Sequence, residues 1–319
     1  MKSATKRMFA RTEAGVVIVV LALVLIVGVI NPSAFFAKEN IIDILRNASY
    51  SFVIAAPLTL LFMSSGADMT VGAVTSFGGI VCATCINLGA PWPIAILAAM
   101  VCGGLFGLIK SWLIVGLGLT AFICTLGLRY ALEGAILVWT RGNPIVGFPD
   151  SFKVLGQGSI GGVYWTIIIA IVVGILFHII ITRTKFGRQA LAVGGNQETA
   201  RLAGIKVKRV RFVTNTLVSI AAALVGCLYA AKFNSAQPTI GTGTEMTIMA
   251  SCIIGGASMG GGSGSMVGTA LGVLMLSIIK NGLVLIHLST YWQNLVFGLV
   301  LVASLYVDLV RRKKSASGL

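Results

Sequence analysis

Charge is what this sequence has least of. Only 10% of its 319 residues are Asp, Glu, Lys or Arg, against about a quarter in soluble globular chains. That scarcity excludes an ordinary water-soluble domain. Acidic residues number nine and histidines two, and no paired carboxylates or catalytic triad appear among them, which argues against an enzyme. The six cysteines (Cys82, Cys85, Cys102, Cys124, Cys227 and Cys252) all fall in apolar stretches. Cys82 and Cys85 form a lone C-x-x-C, and His178 and His287 lie far apart. A zinc site needs about four suitable ligands, so no metal centre is expected. No G-x-x-x-x-G-K-[ST] segment occurs, which excludes ATP hydrolysis by a P-loop. The net charge of +15 comes with no basic patch interleaved with aromatics and no nucleic-acid motif, so nucleic acid is not an expected partner.

What is present is apolar. The chain is 57% hydrophobic, with a mean hydropathy of +0.97. Repeated apolar runs of roughly 20 residues mark transmembrane helices, which satisfy their backbone hydrogen bonds where lipid cannot. The fold class expected is an all-α polytopic membrane protein with about ten transmembrane helices in one domain, 1–319. They are placed at about 14–30, 41–63, 70–88, 92–115, 119–139, 163–182, 212–231, 245–258, 264–286 and 291–310. The first begins after a basic start, as a secretory signal does, but its apolar run is longer and no cleavage site precedes Asn31-Pro32, so it is read as a retained helix. A polar, glycine-rich external loop is expected at 140–162 and a basic cytoplasmic loop at 183–211.

The basic residues support this count. Of the 24 Lys and Arg, four lie in 1–11, eight in 183–211 and four at 311–314. Basic loops face the cytoplasm. Ten crossings put all three clusters, and both termini, on that one side. Two small-residue segments, Ser64–Gly72 and Ile254–Gly264, then each join a span running inward to one running outward. They share little beyond small residues, but glycine-interrupted segments of this kind point to a transport path. Asp68 is either a cap for the following helix or, as an intramembrane acid, a gate residue. Asn47, Ser65, Asp68, Thr70, Gly255, Gly256 and Ser258 are the candidate path or gate residues. Gln293 and Asn294 are further polar residues in spans. Arg129 and Glu133 can pair at i,i+4, and Glu245 suits the first turn of its helix.

Residues 194–205, GGNQETARLAGI, read as a short helix outside the membrane. Gly194-Gly195 breaks the chain, Asn196 is a good N-cap, Glu198 suits the first turn and can pair with Arg201, and Gly204 ends it. Two turns are too short to be stable alone, so this helix needs a surface to pack on, either its own chain or a soluble partner.

Lys185-Phe186-Gly187-Arg188, Ala192–Asn196 and Glu198–Ile205 closely resemble the cytoplasmic loop of bacterial ABC importer permeases of the ribose, xylose and arabinose type, a group related to the branched-chain amino acid permeases. Glu198-Thr199-Ala200 followed by Gly204 is similar to their E-A-A-x-x-x-G signature, with Thr199 in place of Ala. Ser65–Gly72 stands where the family has G-G-I-D-L-S-V-G, keeping Asp68, Val71 and Gly72. Ile254–Gly264 matches I-G-G-x-S-x-x-G-G-x-G, Arg141–Ile145 resembles an external R-G-x-P-I loop, and Asn281-Gly282-Leu283 and Tyr291-Trp292-Gln293 resemble the last two helices.

The resemblance implies a transmembrane subunit of an ATP-driven importer in the bacterial inner membrane, moving a monosaccharide or similar small polar solute by alternating access. It implies a second permease copy in a homodimer or a similar permease in a heterodimer, two ATP-binding subunits carrying ATP and Mg, and an external solute-binding protein. No cofactor is expected on this chain. Gly194, Gly195, Asn196, Glu198, Ala200, Arg201 and Gly204 would form the coupling helix that docks on the ATP-binding subunit. Permeation of nucleosides or branched-chain amino acids stays open, as does an ATP-independent transporter or channel. The latter would be expected to carry more intramembrane ionisable residues.

Overall fold

A computed structural model describes residues 2–289 continuously and positions 292, 295, 296, 298, 299, 302, 306 and 309 beyond them. The expected last helix, 291–310, lies mostly outside the described residues. The elements in chain order are α1 (Lys2–Ile30), α2 (Pro32–Phe35), α3 (Lys38–Met63), α4 (Val71–Asn87), α5 (Trp92–Ser111, continued by a π-helical turn Trp112–Gly116), α6 (Ala121–Thr140), β1 (Ile145–Val146), α7 (Asp150–Gln157), β2 (Ser159–Ile160), β3 (Val163–Tyr164), α8 (Trp165–Arg183), α9 (Lys185–Gly195), α10 (Gln197–Leu202), α11 (Val207–Phe233), β4 (Ser235–Ala236), α12 (Thr244–Ile254) and α13 (Met266–Leu285).

Among the described residues six helices are long and apolar enough to cross a membrane: Lys38–Met63, Trp92–Gly116, Ala121–Thr140, Trp165–Arg183, Val207–Phe233 and Met266–Leu285. Gly15–Ile30, Val71–Asn87 and Thr244–Ile254 are apolar but shorter. The chain is a multi-pass membrane protein. Its long helices bury one face and turn apolar side chains such as Leu97, Val101, Val138 and Val172 outward, the pattern that lipid contact requires.

α11 is the central post, packed against α3, α4 and α5. Its buried face is small: Ala222, Ala223, Gly226, Ala230 and Ala231. A Cβ on Gly226 would overlap the Thr75 carbonyl oxygen of α4. Small residues let helices approach this closely in a membrane, where water-driven burial does not operate between them. α1 packs on α13, with Val27 against Gly282.

The helix ends form two groups. One end of the bundle gathers the basic loop with the ends of α3, α8 and α13 that adjoin it. The other gathers the connection after α6, where β1 pairs antiparallel with β4 and β2 with β3. The expected polar loop 140–162 is therefore partly ordered: it carries α7, whose Phe152 is fully buried. At the start of α7 the exposed Asp150 accepts from Lys153 Nζ at 2.8 Å, and this cation lowers the carboxyl pKa below its ordinary value.

Two expected boundaries shift for physical reasons. The helix expected at 245–258 ends at Ile254, because Gly256 takes φ +92°, a left-handed turn that favours glycine. Gly194-Gly195 does not break the chain but closes α9, and the break comes at Asn196 with φ −159°. Glycine tolerates a helix interior at modest cost, and here tight packing on another segment holds it there.

Candidate functional site

The chain between α11 and α12 folds back into the bundle. Asn234, at φ 51°, stops α11. After β4 the backbone returns far enough for the Gly241 amide to donate to Ser76 Oγ on α4 at 3.0 Å. Glu245, in the first turn of α12, meets Arg129 in the middle of α6. α12 therefore begins at mid-depth. Its 11 residues span about 16 Å, half of a bilayer core of about 30 Å. Non-helical backbone at that depth is tolerated where it is buried in protein or lines a cavity.

A cavity of about 400 Å³ lies above this half-helix, between α3, α11, α12 and α13. Three polar stripes meet there. α3 contributes Asp43, Asn47 and Ser51 at i, i+4 and i+8; α12 contributes Thr244, Thr247 and Ser251 at i, i+3 and i+7; α13 contributes Ser277 and Lys280 at i and i+3. Those spacings place each set on one helix face. Asp43, Asn47 and Lys280 are exposed at the mouth, and Ser251 is buried. Asn47 Oδ1 accepts from Lys232 Nζ at 2.9 Å. At the edge, Asn40 and Asn281 clasp α3 to α13 through reciprocal amide bonds of 3.2 and 2.7 Å. Tyr229 of α11 supplies an aromatic wall and stacks on Tyr50 at 4.4 Å.

Below the cavity the helices close. Thr59 on α3 and Thr269 on α13 share a hydrogen bond of 2.6 Å, with Cys252 of α12 alongside. Gly255 packs on the Gly268 backbone, and Ser258 and Gly256 lie within the turn that follows, held by Ser258 N to Ser263 O at 3.2 Å and Ser263 Oγ to Gly256 O at 3.5 Å.

Asp68 and Thr70 occupy a separate, fully buried cluster. Asp68 Oδ1 accepts from Thr70 N at 2.9 Å and Thr70 Oγ1 at 2.6 Å, so it caps the turn into α4. Its other oxygen pairs with Lys110 of α5, whose Nζ also donates to Ser219 of α11 at 2.8 Å. Burying two charges is costly, and such pairs persist when their remaining hydrogen-bonding capacity is met. Here both partners are satisfied, and the cluster ties α4, α5 and α11 together.

The basic loop joins the same end of the molecule. Thr184 caps α9 through Gly187 N at 3.2 Å, and Asn196 caps α10 through Thr199 N at 2.9 Å. Glu198 and Arg201 lie 3.4 Å apart on the surface. Ala200 is buried, while Gly204, at φ +79°, turns the chain towards α11. Two groups of residues expected separately prove adjacent. Ser65 Oγ donates to the carbonyls of Gly194 at 3.2 Å and Gly260 at 2.7 Å, and Gly262 N donates to Met63 O at 3.1 Å. The α9 end, the α3 end and the turn before α13 are thus one junction. Asn47 stands apart from it, in the cavity.

Several residues of the site were not singled out in the sequence. Lys110 reads as a basic residue near a span end. Thr247 and Tyr229 are ordinary members of apolar runs. A three- and four-residue polar periodicity, 244–247–251 and 43–47–51, is the signal that marks them. No group of three metal-ligating side chains occurs among the described residues.

Residues 40–305 match the family described as "Branched-chain amino acid transport system / permease component". The chain is 33% identical over 295 residues to the ribose import permease protein RbsC of Escherichia coli strain K12, covering 91% of this chain and 92% of that protein. It is 34% identical over 296 residues to the ribose import permease protein RbsC of Bacillus subtilis strain 168, covering 92% and 91%. It is 31% identical over 295 residues to the D-allose transport system permease protein AlsC of Escherichia coli strain K12, covering 92% and 90%. No solved structure matches significantly.

Proposed function

The chain belongs to the branched-chain amino acid transport system / permease component family, and from that membership we propose that it is the transmembrane subunit of an ATP-driven importer for a monosaccharide or similar small polar solute. The observation that carries this assignment is the likeness, over nine-tenths of the chain, to permeases named for ribose and allose. The cavity agrees in size, since ligand pockets run about 300–1,000 Å³.

In this assignment the end bearing the basic loop faces the cytoplasm of a bacterial inner membrane. The chain makes ten crossings with both termini inside, counting α12 and its returning loop as one and 291–310 as the last. The cavity opens outward, towards a solute-binding protein. ATP and Mg are held by two separate subunits, and a second permease copy completes a homodimer. α10 is the coupling helix. Its Leu202 is 80% exposed, an apolar side chain outside the membrane that a cleft in the ATP-binding subunit would cover. Movement of α10 passes through α9 to the junction of Gly194 with Met63 and Gly262, and so to the ends of α3 and α13, which wall the cavity.

Replacing Leu202 by Asp tests this directly. Solute uptake in cells carrying the whole transporter should fall at least about tenfold, with the amount of chain in the membrane unchanged. Uptake equal to wild type would contradict the docking role of α10.

A further inference from the structure

The outward faces of the spans are not alike. On α5 the exposed residues include Leu97, Val101, Leu105 and Leu108, and on α8 Ile171, Val172, Ile175 and Leu176, apolar side chains that suit lipid. α6 packs on α4 and more lightly on α5. Its open face carries Gly127, Tyr130, Ala131 and Gly134, with Glu133 at the edge, 20% exposed. The helix has 20 residues, about 30 Å, the thickness of a bilayer core. Tyr130 and Glu133 therefore lie within about 4 Å of the middle of the span. Tyrosine is usual at the membrane interfaces, where its hydroxyl reaches water, and a carboxylate at mid-span is costly unless it faces protein.

The polar groups at this depth are only partly used. Arg129 divides its guanidinium between two carboxylates, Glu133 at 3.0 Å and the buried Glu245 of α12. Glu133 accepts through Oε1, and its Oε2 meets no donor among the described residues. Tyr130 is 64% exposed, with the Arg129 guanidinium 5.7 Å from its ring, and its hydroxyl donates to no described residue. The small residues are a second signal. A Cβ on Gly127 or Gly134 would meet nothing within 4 Å, whereas one on Gly226 of α11 would overlap α4. Nothing in this chain requires smallness on the open face of α6. Gly127, Ala131 and Gly134, at i, i+4 and i+7, leave a shallow groove of the kind that lets another helix approach closely in a membrane.

We propose that the open face of α6 is where a second copy of this chain seats, with Tyr130 of each copy donating to the partner's Glu133. This rests on the importer assignment above, which calls for two permease copies without placing their contact. Both copies have the same orientation in the membrane, so a two-fold axis along its normal sets the two α6 helices side by side and parallel. Each copy then holds what the other lacks, a hydroxyl to donate and a carboxylate oxygen to accept. A lipid chain offers neither.

Crosslinking in cells carrying the complete transporter tests this. The part-buried native cysteines Cys85, Cys102 and Cys124 are replaced by alanine. Single cysteines are then added near the middle of three spans: Ala131→Cys on α6, Val101→Cys on α5 or Ile175→Cys on α8. With copper phenanthroline, Ala131→Cys should give a disulfide-linked dimer of this chain, and the other two should stay monomeric. A monomeric Ala131→Cys chain, or a dimer from either of the others as strong as its own, would overturn the interface. ATP-dependent uptake by the same cells reports on the importer assignment separately: uptake retained by a monomeric Ala131→Cys chain overturns the interface alone. For the full chain in detergent, Tyr130→Phe removes two hydrogen bonds per dimer and should raise the dimer Kd about tenfold. An unchanged Kd would overturn the contact between Tyr130 and Glu133. Ala131→Phe fills the groove and should raise the Kd further, while alanine at Gly127 or Gly134 stays within the size that this face admits.

Discussion

A carboxylate sealed from solvent inside an apolar helix bundle needs a counter-charge, and Asp68 finds it in Lys110, 42 residues away. The sequence shows half of this pair. Asp68 is visible because an acid flanked by small and apolar residues is rare in a span. Lys110 is not, because a lysine near a span end usually reaches for the interface. The same asymmetry applies to Arg129: its neighbour Glu133 is legible at i+4 and pairs at 3.0 Å, but Glu245 reaches it only through the returning loop. Removing one member of a buried pair leaves an uncompensated charge, a loss of about 3–5 kcal/mol. Asp68→Asn or Lys110→Met alone should therefore lower the detergent melting temperature sharply. Asp68→Asn combined with Lys110→Met should recover much of the loss. A double variant as unstable as the sum of the two singles would show that the residues do not act as a pair.

At the scale of elements, capping was readable and close approach was not. Asn196, Glu198, Arg201 and Gly204 mark α10 because each acts on its immediate neighbours. α9 was hidden because two adjacent glycines look like a break. Only the fold shows that Gly194 lies where a side chain would strike the Met63 carbonyl oxygen and crowd Gly262 N. The half-helix α12 was likewise blurred, since its apolar run continues into the glycine-rich turn. Gly194→Ala should spread the junction between the basic loop and α3 and reduce uptake severalfold or more. Gly134→Ala on α6 meets nothing within 4 Å and should be neutral or slightly stabilising. Equal uptake in the two variants would remove the junction from the account.

At the scale of the whole molecule, the apolar runs made the multi-pass membrane class plain, because burying backbone in lipid leaves few alternatives. The cavity was not foreseeable. Its walls come from residues about 200 positions apart, and of the expected path residues only Asn47 lines it. The molecule carries a cavity towards one end, a closed contact through Thr59 and Thr269 beneath it, and the basic loop at the other. The proposed importer function requires an ATP-binding subunit to act on that loop. The decisive measurement is uptake of radiolabelled D-ribose or D-allose into proteoliposomes containing this chain with its ATP-binding subunit and solute-binding protein. Uptake of one of these sugars that requires ATP on the side of the basic loop is the predicted result; sugar uptake that proceeds equally without ATP would contradict it.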